Sequence, residues 1–170
     1  MKTLLLASVL LSGLVGSFAV PFPPGPFPPA PPAYHAFCKT VWLFASPCVE
    51  LTTTILQQIQ AFNPLNACAQ CQYRLVSVTP QSIRANHTSP ENLQVESLSF
   101  SFKPTVMTGG CRVNAMSTSL GFTSLIDDGQ NYQNLYNILT ASGLNSSPGF
   151  IEMTNDWACL CHGLGTCNNA

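Results

Sequence analysis

Ser97-Leu98-Ser99-Phe100-Ser101-Phe102-Lys103 decides the fold class of this chain. Every second residue is apolar and those between are serines or a lysine. That period of two fits a strand with one face in a core and the other in water. Working outward, Cys111, Val113 and Ala115 alternate with Arg112 and Asn114, while Tyr73, Leu75 and Ser77 alternate with Arg74, Val76 and Val78. Turn-forming residues punctuate these runs at Thr79-Pro80, Asn86 to Pro90 and Thr108-Gly109-Gly110, the last reading as a hairpin. Such one-sided polarity predicts an antiparallel sheet, wet on one side and covered on the other.

Helices supply the cover. Ser46-Pro47 reads as an N-cap followed by proline at the first helical position, after which Cys48, Leu51, Ile55, Ile59 and Phe62 recur at helical spacing up to Asn63-Pro64. Asp127-Asp128-Gly129 reads as a turn; Tyr132, Leu135, Tyr136 and Leu139 then return to helical spacing, and Gly143 stands where a glycine ends a helix. Phe150 to Thr154 is a candidate last strand. The expected fold class is α+β: an antiparallel sheet with one main helix packed on one face plus a second short helix, stapled by disulfides.

Residues 1–19 have the form of a signal peptide: Met1-Lys2, an apolar run from Leu4 to Val15, and small residues at Ser17 and Ala19, with cleavage expected after Ala19. The run is shorter than the roughly 20 residues needed to span a bilayer, and no second one follows. A secreted, extracellular and soluble mature chain is expected. Residues 20–33 hold eight of the fourteen prolines and repeat Pro21-Phe22-Pro23-Pro24-Gly25 as Pro26-Phe27-Pro28-Pro29-Ala30, which predicts an extended polyproline arm serving as spacer or weak tether. Residues 34–170 are expected to form a single disulfide-bonded domain. Two sequons, Asn86-His87-Thr88 and Asn145-Ser146-Ser147, mark Asn86 and Asn145 as glycosylation candidates.

Eight cysteines fit export: Cys38, Cys48, Cys68, Cys71, Cys111, Cys159, Cys161 and Cys167. Eight cysteines in four bridges leave 105 pairings open. Cys48 lies on the apolar stripe of the first helix, where a bridge would pin the first turn to the body. Links from the C-terminal cysteines to Cys68, Cys71 or Cys111 would tie tail to sheet, and Cys38 with Cys48 would join across the helix entrance. Cys68-Ala-Gln-Cys71 has the spacing of a dithiol redox centre, but it follows a helix and precedes a strand, the inverse of what such a centre requires. Cys159, Cys161, His162 and Cys167 are the right donors for zinc, yet an even cysteine count in an exported chain favours bridges. No metal and no cofactor are expected.

Catalytic patterns are not evident. His35, His87 and His162 are the three histidines, no Gly-x-Ser-x-Gly elbow occurs, and the seven acids are scattered. Thr108-Gly109-Gly110 lacks the lysine of a phosphate cradle. His87 is expected as a loop histidine within its sequon. Removing Lys2 from the six basic residues leaves five against the seven acids, with no basic cluster along the chain, so nucleic acid and anionic membrane are not expected partners. Asp127-Asp128, the one acidic pair, suits a solvated turn better than a calcium site.

From Cys68 to Cys167 the chain resembles a family of short secreted, disulfide-containing invertebrate proteins with no assigned activity. The resemblance rests on Cys68-x-x-Cys71, His87-Thr88-Ser89-Pro90, Leu98-Ser-Phe-Ser-Phe102, Cys111, Ser117-Thr118-Ser119, Asp127-x-Gly129-x-Asn131-Tyr132-x-Asn134-Leu135, Gly149-Phe150-x-Glu152, Cys159 and Cys167. It implies extracellular life and a shared disulfide frame, and carries over no catalytic residue. The family pattern has cysteine where Gln133 stands and no obvious counterpart to Cys161. A helix followed by antiparallel strands also resembles the cystatin layout, but the inhibitory glutamine-valine-x-valine-glycine wedge is absent. The function expected is a secreted, non-catalytic glycoprotein acting by extracellular binding or assembly in matrix, coat or mucus, with a protein or glycan partner. A protease inhibitor or defence factor, and a secreted hydrolase or CxxC redox protein, are the alternatives.

Overall fold

The structure is a computed structural model that describes residues 35–64, 72–90, 93–106, 109–121, 127, 129–154 and 158–159. The chain divides into two units, Met1–Pro32 and Ala33–Ala170, and every described residue belongs to the second. Six strands and two helices follow in the order β1 (Phe37–Phe44), α1 (Cys48–Ala61), β2 (Tyr73–Thr79), β3 (Ser82–Thr88), β4 (Val95–Pro104), β5 (Cys111–Ser119), α2 (Gln130–Ala141) and β6 (Ile151–Met153). All six strands join one antiparallel sheet in the order β2-β3-β4-β5-β1-β6. The α+β class expected from the alternation at Leu98, Phe100 and Phe102 is the observed one.

Period-two burial governs the sheet. Leu98, Phe100 and Phe102 on β4, Val113 and Ala115 on β5, Ile83 and Ala85 on β3, and Trp42 and Phe44 on β1 all turn to one face and are buried. Both helices lie on that face. Leu51, Ile55 and Ile59 of α1 and Leu135, Ile138 and Leu139 of α2 fill the same core. Removing each such side chain from water contributes about 1.5–3 kcal/mol, so this stripe-on-sheet contact dominates what holds the domain together.

Some expectations need correction. β1 and β3 were not anticipated, and each has a physical reason to be faint. In β1 both faces carry apolar groups, Phe37, Val41 and Leu43 as well as Trp42 and Phe44, which blurs the alternation. In β3 the inward residues are Ile83, Ala85 and His87, only one of them strongly apolar, so the segment resembles a turn. The turn expected from Asn86 to Pro90 therefore begins only after Thr88. Ser77 leaves the core face because a bulge between Leu75 and Ser77 shifts the register and sets Ser77 beside Arg84.

The helix ends also differ in detail. Pro47, not Ser46, is the N-cap of α1; its carbonyl accepts Glu50 N–H at 3.1 Å, and no side chain caps the helix. α2 is 12 residues against 14 for α1, so the second helix is hardly shorter than the main one. It ends at Ser142, with Gly143 left-handed at φ 73°, as its position promised. In the β4–β5 hairpin Gly109 has φ 68°, and a Cβ on Gly110 would fall 2.1 Å from the Phe44 carbonyl oxygen. The close approach of β1 there admits only glycine.

Two disulfides fasten these layers: Cys48–Cys111 and Cys38–Cys159. The first pins the opening turn of α1 to the start of β5, as the stripe position of Cys48 suggested. It also overturns the expected Cys38–Cys48 closure. The second ties the segment after β6 to β1, where Lys39 N–H donates to the Ala158 carbonyl at 2.7 Å. Cys159 thus reaches Cys38 rather than Cys68, Cys71 or Cys111, because β1 is inserted between β5 and β6 instead of lying outside the sheet. Cys68, Cys71, Cys161 and Cys167 lie outside the described residues.

Candidate functional site

Two polar regions face opposite ways from the same strands. The first is a seam inside the helix-covered face. Antiparallel register places Tyr73 opposite His87, His87 opposite Glu96 and Glu96 opposite Ser119, a row running across four strands. Residues paired in this way share a face. His87 Nδ1 and Glu96 Oε2 are 2.8 Å apart, with side chains only 8% and 1% exposed. Asn134 Nδ2 donates to the same carboxylate oxygen at 3.4 Å, leaving Glu96 Oε1 buried without a partner among the described residues. The Tyr73 ring packs 4.8 Å from the His87 ring, and its hydroxyl donates to the Asn134 carbonyl at 3.0 Å. Burial pushes the Tyr73 phenol well above its ordinary range; a hydrogen bond with Asn137 opposes the shift, and the negative charge of Glu96 adds a smaller upward push.

Asn131 extends the seam one helical turn earlier. Its side-chain NH₂ reaches Ser119 Oγ at 2.9 Å, the Ala36 carbonyl at 3.3 Å and Asp127 Oδ2, while its Oδ1 accepts the Ser117 hydroxyl at 2.6 Å. Asp127 Oδ2 also accepts the Asn131 backbone N–H at 2.9 Å, satisfying one of the free donors at the start of α2. Asp127 is therefore a helix-start acceptor rather than a solvated turn residue. Farther along, Glu152 of β6 turns inward. Its Oε1 accepts the Thr40 hydroxyl at 3.0 Å and the Trp42 indole N–H at 3.2 Å, and its Oε2 accepts the Tyr132 hydroxyl at 3.2 Å. Burial, followed by the Glu152 charge, also drives the Tyr132 phenol upward.

Chemically the seam is a set of donors and acceptors turned on one another. A histidine–carboxylate pair can move a proton only to a group that reaches it, and His87 is 6% exposed. What these bonds accomplish is to seat α2 at one azimuth on the sheet. Of the residues on which the resemblance rests, His87, Ser117, Ser119, Asp127, Asn131, Tyr132, Asn134 and Glu152 take part in the seam, together with Tyr73 and Glu96, which lie outside that pattern. His87 is consequently a core strand residue and not the loop histidine of a sequon.

The second region is the open face of the sheet. Lys39, Arg74, Arg84, Lys103 and Arg112 are exposed there, on strands β1 to β5. These are all the lysines and arginines that follow Lys2. The acids among the described residues go elsewhere: Glu50 to the first turn of α1, Glu96 and Glu152 inward, Asp127 to the start of α2. Cations dispersed along the sequence thus share one surface, an arrangement that the order of residues along the chain does not display. Among the described residues none of the five cations makes an ion pair, and the one histidine–carboxylate contact, His87 with Glu96, lies inside.

Register arranges this face in rows. Ser77, Arg84, Ser99, Met116 and Lys39 form one; Ser82, Ser101, Asn114, Val41 and Met153 the next; Lys103, Arg112, Leu43 and Ile151 a third. A hollow of about 380 Å³ opens among Lys39, Ser99, Ser101, Lys103, Asn114 and Met116. Asn86 stands half-buried on this same face, between Arg74 and Ser97, in mid-strand rather than beside a turn. Asn145 is exposed in the short 3₁₀ turn Leu144–Ser146.

Among the described residues no group of three or more His, Cys, Asp or Glu could hold a metal ion, and Cys159, consumed by its bridge to Cys38, is no thiolate ligand. His162 lies outside the described residues, and His35 is half-buried with its Nδ1 unpartnered. Sequence reasoning missed Glu96 altogether and named Glu152, Asn131 and Asn134 only within the resemblance, without a role. A usable signal existed for two of them: Glu96 is in phase with Leu98 and Phe100, and Asn131 with Leu135 and Ile138.

The chain matches no family model and no curated protein. Among solved structures it is similar to that of Ara h 8.0201, at 8% identity and a TM-score of 0.45, covering 64% of this chain and 92% of that one. It is also similar to DR_A0006 from Deinococcus radiodurans (12% identity, TM-score 0.36, 67% and 99% covered). A third is PFC0360w, an HSP90 activator from Plasmodium falciparum (8% identity, TM-score 0.41, 70% and 99% covered).

Proposed function

We propose that the protein is a secreted, non-catalytic glycoprotein that acts by binding or assembling outside the cell, as a component of a matrix, coat or mucus. It belongs with the short secreted invertebrate proteins that its Cys68–Cys167 segment resembles. The observation that carries the reading is the contrast between its two polar regions. The histidine and carboxylates that chemistry would need are turned inward on each other, while the sheet offers water a broad face of hydroxyls, amides and cations. The two disulfides among the described residues support an oxidising compartment, and the exposure of Asn145 within its sequon supports a glycan there.

Expression of the full chain in a eukaryotic secretory cell tests this. The protein should reach the medium beginning after Ala19, shift on a gel after N-glycosidase treatment, and partition into extracellular material. It should turn over nothing in a broad hydrolase screen and spare papain-like and serine proteases. Retention in the cytosol, or reproducible turnover of a substrate, would overturn the proposal.

A further inference from the structure

We infer that the open face of the sheet is a docking surface for an anionic polysaccharide, one bearing sulfate or carboxylate groups. This deepens the proposed extracellular binding role and rests on it. The first argument is charge complementarity. Five exposed cations share the face, and the carboxylates of the described residues lie on the helical side or in the core. In a chain of nearly balanced charge, such segregation creates a local positive field that the net charge conceals.

Placement gives the second argument. Lys103 and Arg112 stand directly opposite one another on β4 and β5, and like charges so placed lower the stability of a sheet. No described carboxylate relieves them; the Arg112 guanidinium donates only to Asn114 Oδ1, at 3.2 Å. Arg84 and Lys39 stand in one row, three strand steps or about 14 Å apart. That spacing exceeds the Debye length of about 8 Å at physiological salt, so the cations present separate sites rather than one focus. A linear polyanion matches separate sites.

The third argument is what lies between the cations. Ser99, Ser101 and Asn114 line the hollow and are half-buried, offering hydroxyl and amide hydrogen bonds to the oxygens of a sugar ring or a sulfate. Rows through the hollow carry no aromatic ring, so the stacking platform of single-stranded nucleic-acid binders is absent from them. For a lipid surface, an apolar band would be expected to accompany the charges. Exposed apolar residues do occur on this face, Phe37 on β1, Met116 on β5 and Ile151 and Met153 on β6, but the outward positions of β3 from Ser82 to Asn86 and of β4 from Ser97 to Lys103 carry only serine, asparagine, arginine and lysine.

Purified full-length secreted protein, applied to immobilised heparin at physiological salt, tests the inference, with hyaluronan and uncharged dextran as companion probes. Retention on heparin, elution by added sodium chloride and no retention on dextran are expected. The Lys39→Ser, Arg84→Ser, Lys103→Ser variant should lose at least 10-fold in affinity while keeping its melting temperature; Glu50→Gln, on α1, should bind unchanged. Equal binding by the triple variant, or retention that ignores salt, overturns the docking surface. So does stronger binding to phosphatidylserine vesicles or single-stranded DNA than to heparin. Should the triple variant fail to fold, Lys103→Ser alone and the salt dependence of the unaltered protein decide the matter. Secretion and incorporation into extracellular material are read separately, so loss of heparin binding leaves the proposed function standing and loss of both does not.

Discussion

Residues only a few positions apart on β4 meet opposite environments: Glu96 lies fully inside, held by His87 and Asn134, whereas Lys103 stands in water opposite another cation. The same contrast repeats across the sheet. Its covered face keeps carboxylates by surrounding them with donors, and its open face leaves cations without a counter-charge. Polar groups on one side are therefore structural obligations; those on the other are available. A charge count cannot separate these situations, but alternation along each strand does.

That contrast breaks most readily from the inside. Glu96→Ala should destabilise the domain by about 3–5 kcal/mol, because His87 would lose the partner of a buried pair. Lys103→Ala should change stability by no more than about 0.5 kcal/mol. Urea unfolding of both variants would measure the gap, and equal midpoints would abolish the distinction between the faces. Replacing Cys48 and Cys111 together by serine should cost about 2–4 kcal/mol, since the bridge closes a 63-residue separation. Asn131→Ala follows at about 1–3 kcal/mol, the cost of leaving the buried Ser117 and Ser119 hydroxyls without their amide partner. In its crystal structure the α2 helix should then show a shift against β5.

Alkaline titration sharpens the comparison without mutation. Tyr73 and Tyr132 both have folded-state values raised above the ordinary phenol value of about 10. Their contribution to stability is complete below that value and is lost as pH rises toward and through the folded values, because the unfolded chain releases its phenolic protons first. Phenolate absorbance of Tyr73 should therefore appear together with loss of the folded fluorescence signal. Its appearance in a still-folded protein would contradict the burial of the seam. The smallest expected effect is Ser99→Ala, within about 0.5 kcal/mol, checked by thermal melting.

The sequence revealed strongly patterned elements and concealed balanced ones. β4 was legible because apolar and polar residues alternate without exception from Ser97 to Lys103, and α1 because Leu51, Ile55 and Ile59 keep one stripe. β1 was concealed by its apolar outward residues, which β6 and the open face accommodate in three dimensions. Glu96 and Glu152 were concealed because an acid in an inward position contradicts hydrophobic patterning until its donors are known, and those donors lie on other elements. The cationic face had no local signature at all. Lys39 and Arg112 come to share a face only because β1 pairs with β5, a pairing that no short window of sequence contains.

The strand order has a further consequence, for the sequence of events in folding. β1 is the first strand made, yet it occupies a place between β5 and β6, both far along the chain. During synthesis it must wait with both edges unpaired while about seventy residues follow, and its completed place depends on contacts of long sequence separation, which close slowly. An extended Phe37–Phe44 segment with apolar residues on both faces is sticky while it waits. The hazard for this protein is thus one of timing, and it falls in the interval before β5 and β6 arrive to enclose the strand.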